Sequence, residues 1–268
     1  PNPQPIKPPT QEPAQIMTGH TAVVHSLRFA PDNSTAITAS ADGTAKTWSV
    51  AAAGFTASMT GHSSQVYGIV FSPDGKVLAS ASNDKTVRLW DVAGKKALKT
   101  LSTQPSGVYG VAFSPDGKLL VTAGADKTVR LFNVETGTQT REFKGSQYAV
   151  YSVAFSPDGK SVAAGGVGLG ENRQGLLWNI DNDQPAKIFA GHKDDVYRVQ
   201  FSPKGNRLLT AGYAGTINVW DVNSAKPLFT QDMPIVLYSA TYSVDGKQIA
   251  VTANDGKAYL LAVPVAAQ

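Results

Sequence analysis

The 268-residue chain has no cysteine at all. Disulfides, thiolate zinc sites, iron–sulfur ligation and cysteine nucleophiles are therefore excluded together. It also lacks any long apolar run: every hydrophobic stretch is broken within about eight residues by Gly, Asp, Lys or Ser, well short of the ~18 residues that cross a bilayer. Charge is sparse as well. Only 16% of residues are charged, the net charge is +4, and Lys and Arg are scattered rather than gathered into a basic stripe, so nucleic acid is not the expected partner. What is plentiful is apolar sequence, 42% of the chain, as in a folded globular protein and unlike a disordered one. The length exceeds one average domain of ~100–150 residues, yet a closed all-β architecture reaches it as a single unit.

The sequence opens at Pro1 without an initiator Met. Together with the missing cysteine, this suggests an exported or periplasmic protein. Pro1, Pro3, Pro5, Pro8, Pro9 and Pro13 crowd the first thirteen residues, and such a segment reads as an extended tether, residues 1–13, ahead of one domain over residues 14–268.

Beyond the tether one phrase recurs: Phe29-Ala-Pro-Asp-Asn, Phe71-Ser-Pro-Asp-Gly, Phe113-Ser-Pro-Asp-Gly, Phe155-Ser-Pro-Asp-Gly, Phe201-Ser-Pro-Lys-Gly and Tyr242-Ser-Val-Asp-Gly. Its spacings are 42, 42, 42, 46 and 41 residues. A second phrase follows each copy about nineteen residues later: Trp48-Ser-Val, Trp90-Asp-Val, Phe132-Asn-Val, Trp178-Asn-Ile, Trp220-Asp-Val and Leu261-Ala-Val. All four tryptophans occupy this slot. Within a unit, apolar runs of strand length alternate with turn chemistry, as in Val66 to Phe71, Val77 to Ser82 and Thr86 to Val92, and no helix is expected. Four strands per period of about 40–45 residues is the signature of a β-propeller.

With Gly19-His20, Gly61-His62 and Gly191-His192 opening three repeats and Trp-Asp closing two, the chain resembles the WD40-repeat family from about Ala14 to Val263. Six repeats fill residues 19 to 263, so the expected fold is an all-β propeller of six blades, each of four antiparallel strands. Seven is the commonest number in the family, and a seventh blade from other sequence stays open. In the family each repeat supplies three inner strands of one blade and the outer strand of its neighbour. The last blade therefore needs an outer strand from the N-terminus, and Ala14 to Thr18 is placed to provide it, removing an unpaired edge.

The resemblance also implies roles for residues. The Gly-His histidine, a Ser or Thr of the second strand, an Asp of the next turn and the Trp form a buried hydrogen-bonded network. Here these are His20, Thr38, Asp42 and Trp48 in the first blade and His62, Ser80, Asp84 and Trp90 in the second. The third blade has Gln104, Thr122, Asp126 and Phe132; the fifth has His192, Thr210 and Trp220 but Ala214 for the acid; the fourth and sixth lack the set almost entirely. These histidines are read as structural, since Ser-His-Asp composition without an oxyanion site is no mechanism. No converging cluster of acids and histidines suggests a metal, and no catalytic residue or cofactor is expected. The stretch Gly165-Gly-Val-Gly-Leu-Gly170 runs into a strand, Leu176 to Trp178, where a phosphate loop would open a helix, so it reads as part of a lengthened hairpin loop from Val167 to Gly175.

Four residues before each anchor Phe or Tyr stand His25, Tyr67, Tyr109, Tyr151, Tyr197 and, at the sixth, Tyr238. Strand alternation places them on the anchor's face, at the start of the innermost strand. By resemblance this slot lies on the top surface and contacts ligands, as do the neighbouring Asn83, Asp195, Tyr213 and Asn254; Glu171 and Arg173 of the long loop join the same surface. Lys76, Lys118, Lys160 and Lys247 follow the turns at the opposite end and form a basic rim. The expected function is non-enzymatic: a scaffold that docks a partner peptide or protein, itself monomeric within a larger hetero-complex, with no membrane span. Two rivals are a small-ligand or hydrolytic propeller using the central opening, and a structural domain of a longer catalytic or redox protein.

Overall fold

The computed structural model describes residues 4–5, 17–52, 54–101, 103–166, 168 and 174–264. Among these every regular element is a strand, and the strands form six four-stranded antiparallel sheets, the blades of a six-bladed β-propeller. Blade 2 shows the plan. Its strands Val66–Phe71, Val77–Ser82, Val87–Asp91 and Lys96–Thr100 pair in sequence order, each with the next.

Turn chemistry sets this order. In blade 2 the Ser72 hydroxyl donates to Asp74 Oδ1 (2.6 Å), which also accepts the Lys76 N–H (3.1 Å), while Val77 N–H returns to Ser72 Oγ (2.9 Å). Gly75 takes φ of 72° between them, a left-handed conformation that a Cβ would strain. The same closed turn recurs at Asp116, Asp158 and Asp245.

Packing between blades follows from alternation. In blade 2, Val66, Ile69 and Phe71 are buried against Ile37, Ala39 and Met59 of blade 1, and Ala79, Ala81 and Leu89 on the other face pack with Val108 and Phe113 of blade 3. Blades 1 to 3 make up one compact unit; blades 4 to 6, with the N-terminal strand, make up a second. In the second unit Trp220 and Phe201 pack with Phe189 and Leu177, and Tyr242 and Val251 with Leu209 and Met233.

The N-terminal strand corrects one expectation. The outer strand of blade 6 is Gln4–Pro5, paired antiparallel with Ala258–Ala262 (Gln4 opposite Leu260), and not Ala14 to Thr18. Met17 and Thr18 are not in a strand, and residues 14–16 lie outside the described residues. Proline donates nothing to a ladder and is confined to edge strands, which is what this outermost strand is. Two residues read as tether therefore belong to the domain.

Candidate functional site

The buried networks implied by the resemblance are present in blades 1 and 2. In blade 2 the Trp90 indole N–H donates to Ser80 Oγ (2.8 Å), Ser80 Oγ lies 2.8 Å from His62 Nε2, and His62 Nδ1 lies 2.8 Å from Asp84 Oδ2. The ionised carboxylate can only accept, so the neutral imidazole carries its proton on Nδ1 and its Nε2 accepts the Ser80 hydroxyl proton, while the indole N–H donates to the hydroxyl oxygen. Burial would raise the Asp84 carboxyl, but bonds from Thr86, His62 and the Ser63 N–H hold it down to about 2. Blade 1 repeats the set, with Trp48 to Thr38 at 2.8 Å, His20 to Thr38 at 2.6 Å and His20 to Asp42 at 2.7 Å.

In blade 3, Gln104 replaces the histidine. It donates to Thr122 Oγ1 (3.1 Å) and accepts from Arg130 (3.1 Å), whose guanidinium pairs with Asp126 at 2.7 Å. In blade 4, Trp178 donates instead to the Lys144 carbonyl (2.8 Å), and a cavity of about 20 Å³ opens between Ser146, Ala164 and Leu176. These polar groups are partnered and buried or half-buried, and their bonds tie together the strands and turns of each blade. Among the described residues no group of three or more His, Asp and Glu could hold a metal ion, and no helix is long and apolar enough to cross a membrane.

The tyrosine positions differ from simple alternation. In all six blades the first ladder slips by one residue at the same place: in blade 2 Val66 opposes Ser82 and Gly68 opposes Ala81, leaving Tyr67 as the extra residue. His25, Tyr109, Tyr151, Tyr197 and Tyr238 occupy the equivalent bulges. The anchor's face is taken one residue earlier by Val66, and the bulge re-aims the tyrosine. Gly68 follows the bulge because a Cβ there would lie 2.7 Å from the Tyr109 carbonyl oxygen, so the two blades approach closely at this point.

Freed from the anchor's face, the rings contact one another. In the first unit, His25 and Tyr67 have centroids 4.8 Å apart and Tyr67 and Tyr109 5.2 Å. In the second, Tyr151 and Tyr197 lie 4.8 Å apart, with Tyr213 5.3 Å from Tyr197. Tyr67, Tyr109, Tyr151 and Tyr197 are half-buried, whereas His25 and Tyr213 are exposed and Tyr238 is 61% exposed. Burial, with Tyr151 and Asp195 adding repulsion to the anion, pushes the Tyr197 phenol up to about 12, and burial followed by Tyr109 raises Tyr67. The Tyr67 and Tyr197 phenols therefore stay neutral near neutral pH and offer aromatic faces and hydroxyl donors.

The neighbouring expected residues stand at the same end of their blades. Asn83, Tyr213 and Asn254 follow the second strands and donate their N–H groups to the Gln65, Asp195 and Val236 carbonyls, two residues before the bulges. Asn83 and Asn254 are exposed, and Asp195 Oδ1 accepts the Gly168 N–H at 3.1 Å. Glu171 and Arg173 lie outside the described residues.

The family model for the WD domain, G-beta repeat, matches residues 11–49, 54–91, 95–133, 137–179 and 183–221, most of the chain. Each of the last four matches begins near an outer strand and continues through three inner strands of the next blade, as in Gly54–Met59 followed by Val66–Asp91. The sixth blade lies beyond the last match, where Tyr242 and Leu261 stand for the usual Phe and Trp. A search of curated proteins finds no match.

Proposed function

Because the chain belongs to the WD40-repeat family, whose propellers are typically protein-interaction scaffolds, we propose that it is a non-enzymatic docking module that binds a partner protein through its tyrosine clusters. The observation that carries this reading is the bulge: six blades each place one extra residue at the same point, and five of the six are tyrosines in half-buried or exposed settings. Tyrosine gives a large, rigid, amphipathic contact with only two side-chain torsions to fix, and truncating such a residue at a binding centre costs ~2 kcal/mol or more. The tyrosine rings, with the exposed Asn83 and Asn254 at the same end of their blades, suit a peptide segment with apolar and hydrogen-bonding groups. The module acts as one subunit of a larger assembly.

The experiment is isolation of the tagged chain from its native source, with native mass and the identities of co-purifying chains, beside the double variant Tyr109→Ala/Tyr197→Ala. The parent carries a partner in fixed stoichiometry, and the variant loses it while its melting temperature falls only a few degrees, as half-buried rings require. Undiminished partner retention by the folded variant would refute the assignment.

A further inference from the structure

At the end of the blades opposite the tyrosines, blade 5 breaks the repeat's own rule. The turn slot filled by Asp32, Asp74, Asp116, Asp158 and Asp245 holds Lys204. In four of the other turns this Asp accepts both a Ser hydroxyl and a backbone N–H, so the replacement abandons two charge-assisted bonds and reverses a charge. In blade 5 the Ser202 hydroxyl turns to Asn206 Oδ1 instead, at 3.2 Å. A second departure stands three residues on: Arg207 occupies the slot held by Thr35, Val77, Leu119, Ser161 and Gln248.

Both departures line one cleft of about 80 Å³ between blades 5 and 6, together with Lys247 and Asp245. Three cations and one carboxylate face it, a formal +2. The corresponding residues between blades 2 and 3, Asp74, Lys76, Asp116 and Lys118, sum to zero. Lys204, Arg207 and Lys247 form no ion pair among the described residues, and the Arg207 Nε–H is buried without a hydrogen-bond partner. Asp245 accepts from the Ser243 hydroxyl and the Lys247 N–H, which hold its carboxyl below the usual range; its single negative charge leaves the three cations in excess. Gly246 and Pro203 pack closely at the wall between the two turns: the glycine has φ of 71°, and a Cβ on it would lie 3.3 Å from Pro203 Cδ. On its far side Lys204 also borders a groove of about 360 Å³ with Lys187, Asn179 and Asn223 between blades 4 and 5, leaving room for a larger molecule attached to the bound group.

We infer that the Lys204–Arg207–Lys247 cleft binds a phosphate-type oxyanion, a phosphoryl group that carries close to two negative charges at neutral pH. The guanidinium supplies directed donors and the two ammoniums supply charge without competing acceptors. The site is distinct from the tyrosine clusters and stands whether or not those bind a protein.

The probe is inorganic phosphate, titrated at low ionic strength into the intact chain and followed by calorimetry and by the phosphorus-31 resonance. Lys204→Asp restores the turn residue of the other blades, so the variant folds. It weakens phosphate binding at least about tenfold, as does Arg207→Val, whereas Lys118→Ala on blade 3 changes nothing; added salt weakens the parent's binding, as for exposed charges. A phosphoserine peptide beside inorganic phosphate separates the two sources. Tighter binding of the peptide assigns the phosphoryl group to a macromolecule, and equal binding assigns it to the free ion. No phosphate binding by the parent, or equal binding by Lys204→Asp, overturns the proposal.

Discussion

Blades 2 and 5 are assembled from the same indole, hydroxyl and imidazole and differ in one carboxylate. In blade 5 the Trp220 N–H donates to Thr210 Oγ1 (2.7 Å) and that hydroxyl lies 2.6 Å from His192 Nε2, as in blade 2. Ala214 then stands where Asp84 stands, and the His192 Nδ1 is buried with no partner. The consequence is electrostatic. Burial lowers both histidines, but Asp84 offsets this for His62, whereas His192 falls to about 4. The hydrogen-bond chain from Trp to His forms without the acid; the acid satisfies the last donor.

The largest effect tests what the two blades share. Trp90→Ala removes a fully buried ring and the donor to Ser80, and Trp220→Ala does the same in blade 5; each should cost ~3–5 kcal/mol in urea unfolding. A much smaller loss in either would show that its network contributes little. Asp84→Ala tests the difference directly. It leaves His62 in the state of His192, at a cost of about 1–3 kcal/mol for an unsatisfied buried donor, and it should lower the His62 proton affinity measured by NMR titration. The reverse change, Ala214→Asp, gives His192 its acceptor and should stabilise blade 5 by about 1 kcal/mol.

The smallest effect is in acid. His192 has a folded value near 4, below its unfolded value near 6.5, so the unfolded chain binds the extra proton between them. Its contribution is complete above about pH 6.5 and declines as the pH falls towards 4. Asp84 behaves otherwise: its contribution is complete above the ordinary carboxylate range and declines only as the pH drops towards about 2. Ala214→Asp should therefore flatten the loss of stability between pH 6.5 and 4, and an unchanged slope there would show that His192 is not its source.

Much of this was legible in the sequence, for a physical reason. A repeat that buries both blade faces must reproduce its apolar period and its turn residues, so the six copies and their strands could be read directly; the networks of blades 1 and 2 came with the family resemblance, and the part of Arg130 in blade 3 and of the Lys144 carbonyl in blade 4 did not. The bulge could not. Alternation counts residues in twos, and an extra residue at Tyr67 is invisible until the ladder shows Val66 opposite Ser82. The N-terminal strand was missed because two residues, Gln4 and Pro5, carry no strand signal and stand among prolines. Lys204 was visible in the turn phrase, but its meaning depends on Arg207 and Lys247 meeting it in one cleft, which needs the packing of blade 6 on blade 5.

The most direct test of the docking claim is residue-resolved tyrosine modification, by nitration and mass spectrometry, on the isolated chain and on the assembly purified from its native source. The account predicts that Tyr67, Tyr109, Tyr197 and the exposed Tyr238 lose reactivity in the assembly, while Tyr242, buried against Leu209 and Met233, stays protected in both samples. Equal modification of the bulge tyrosines in both samples would contradict it.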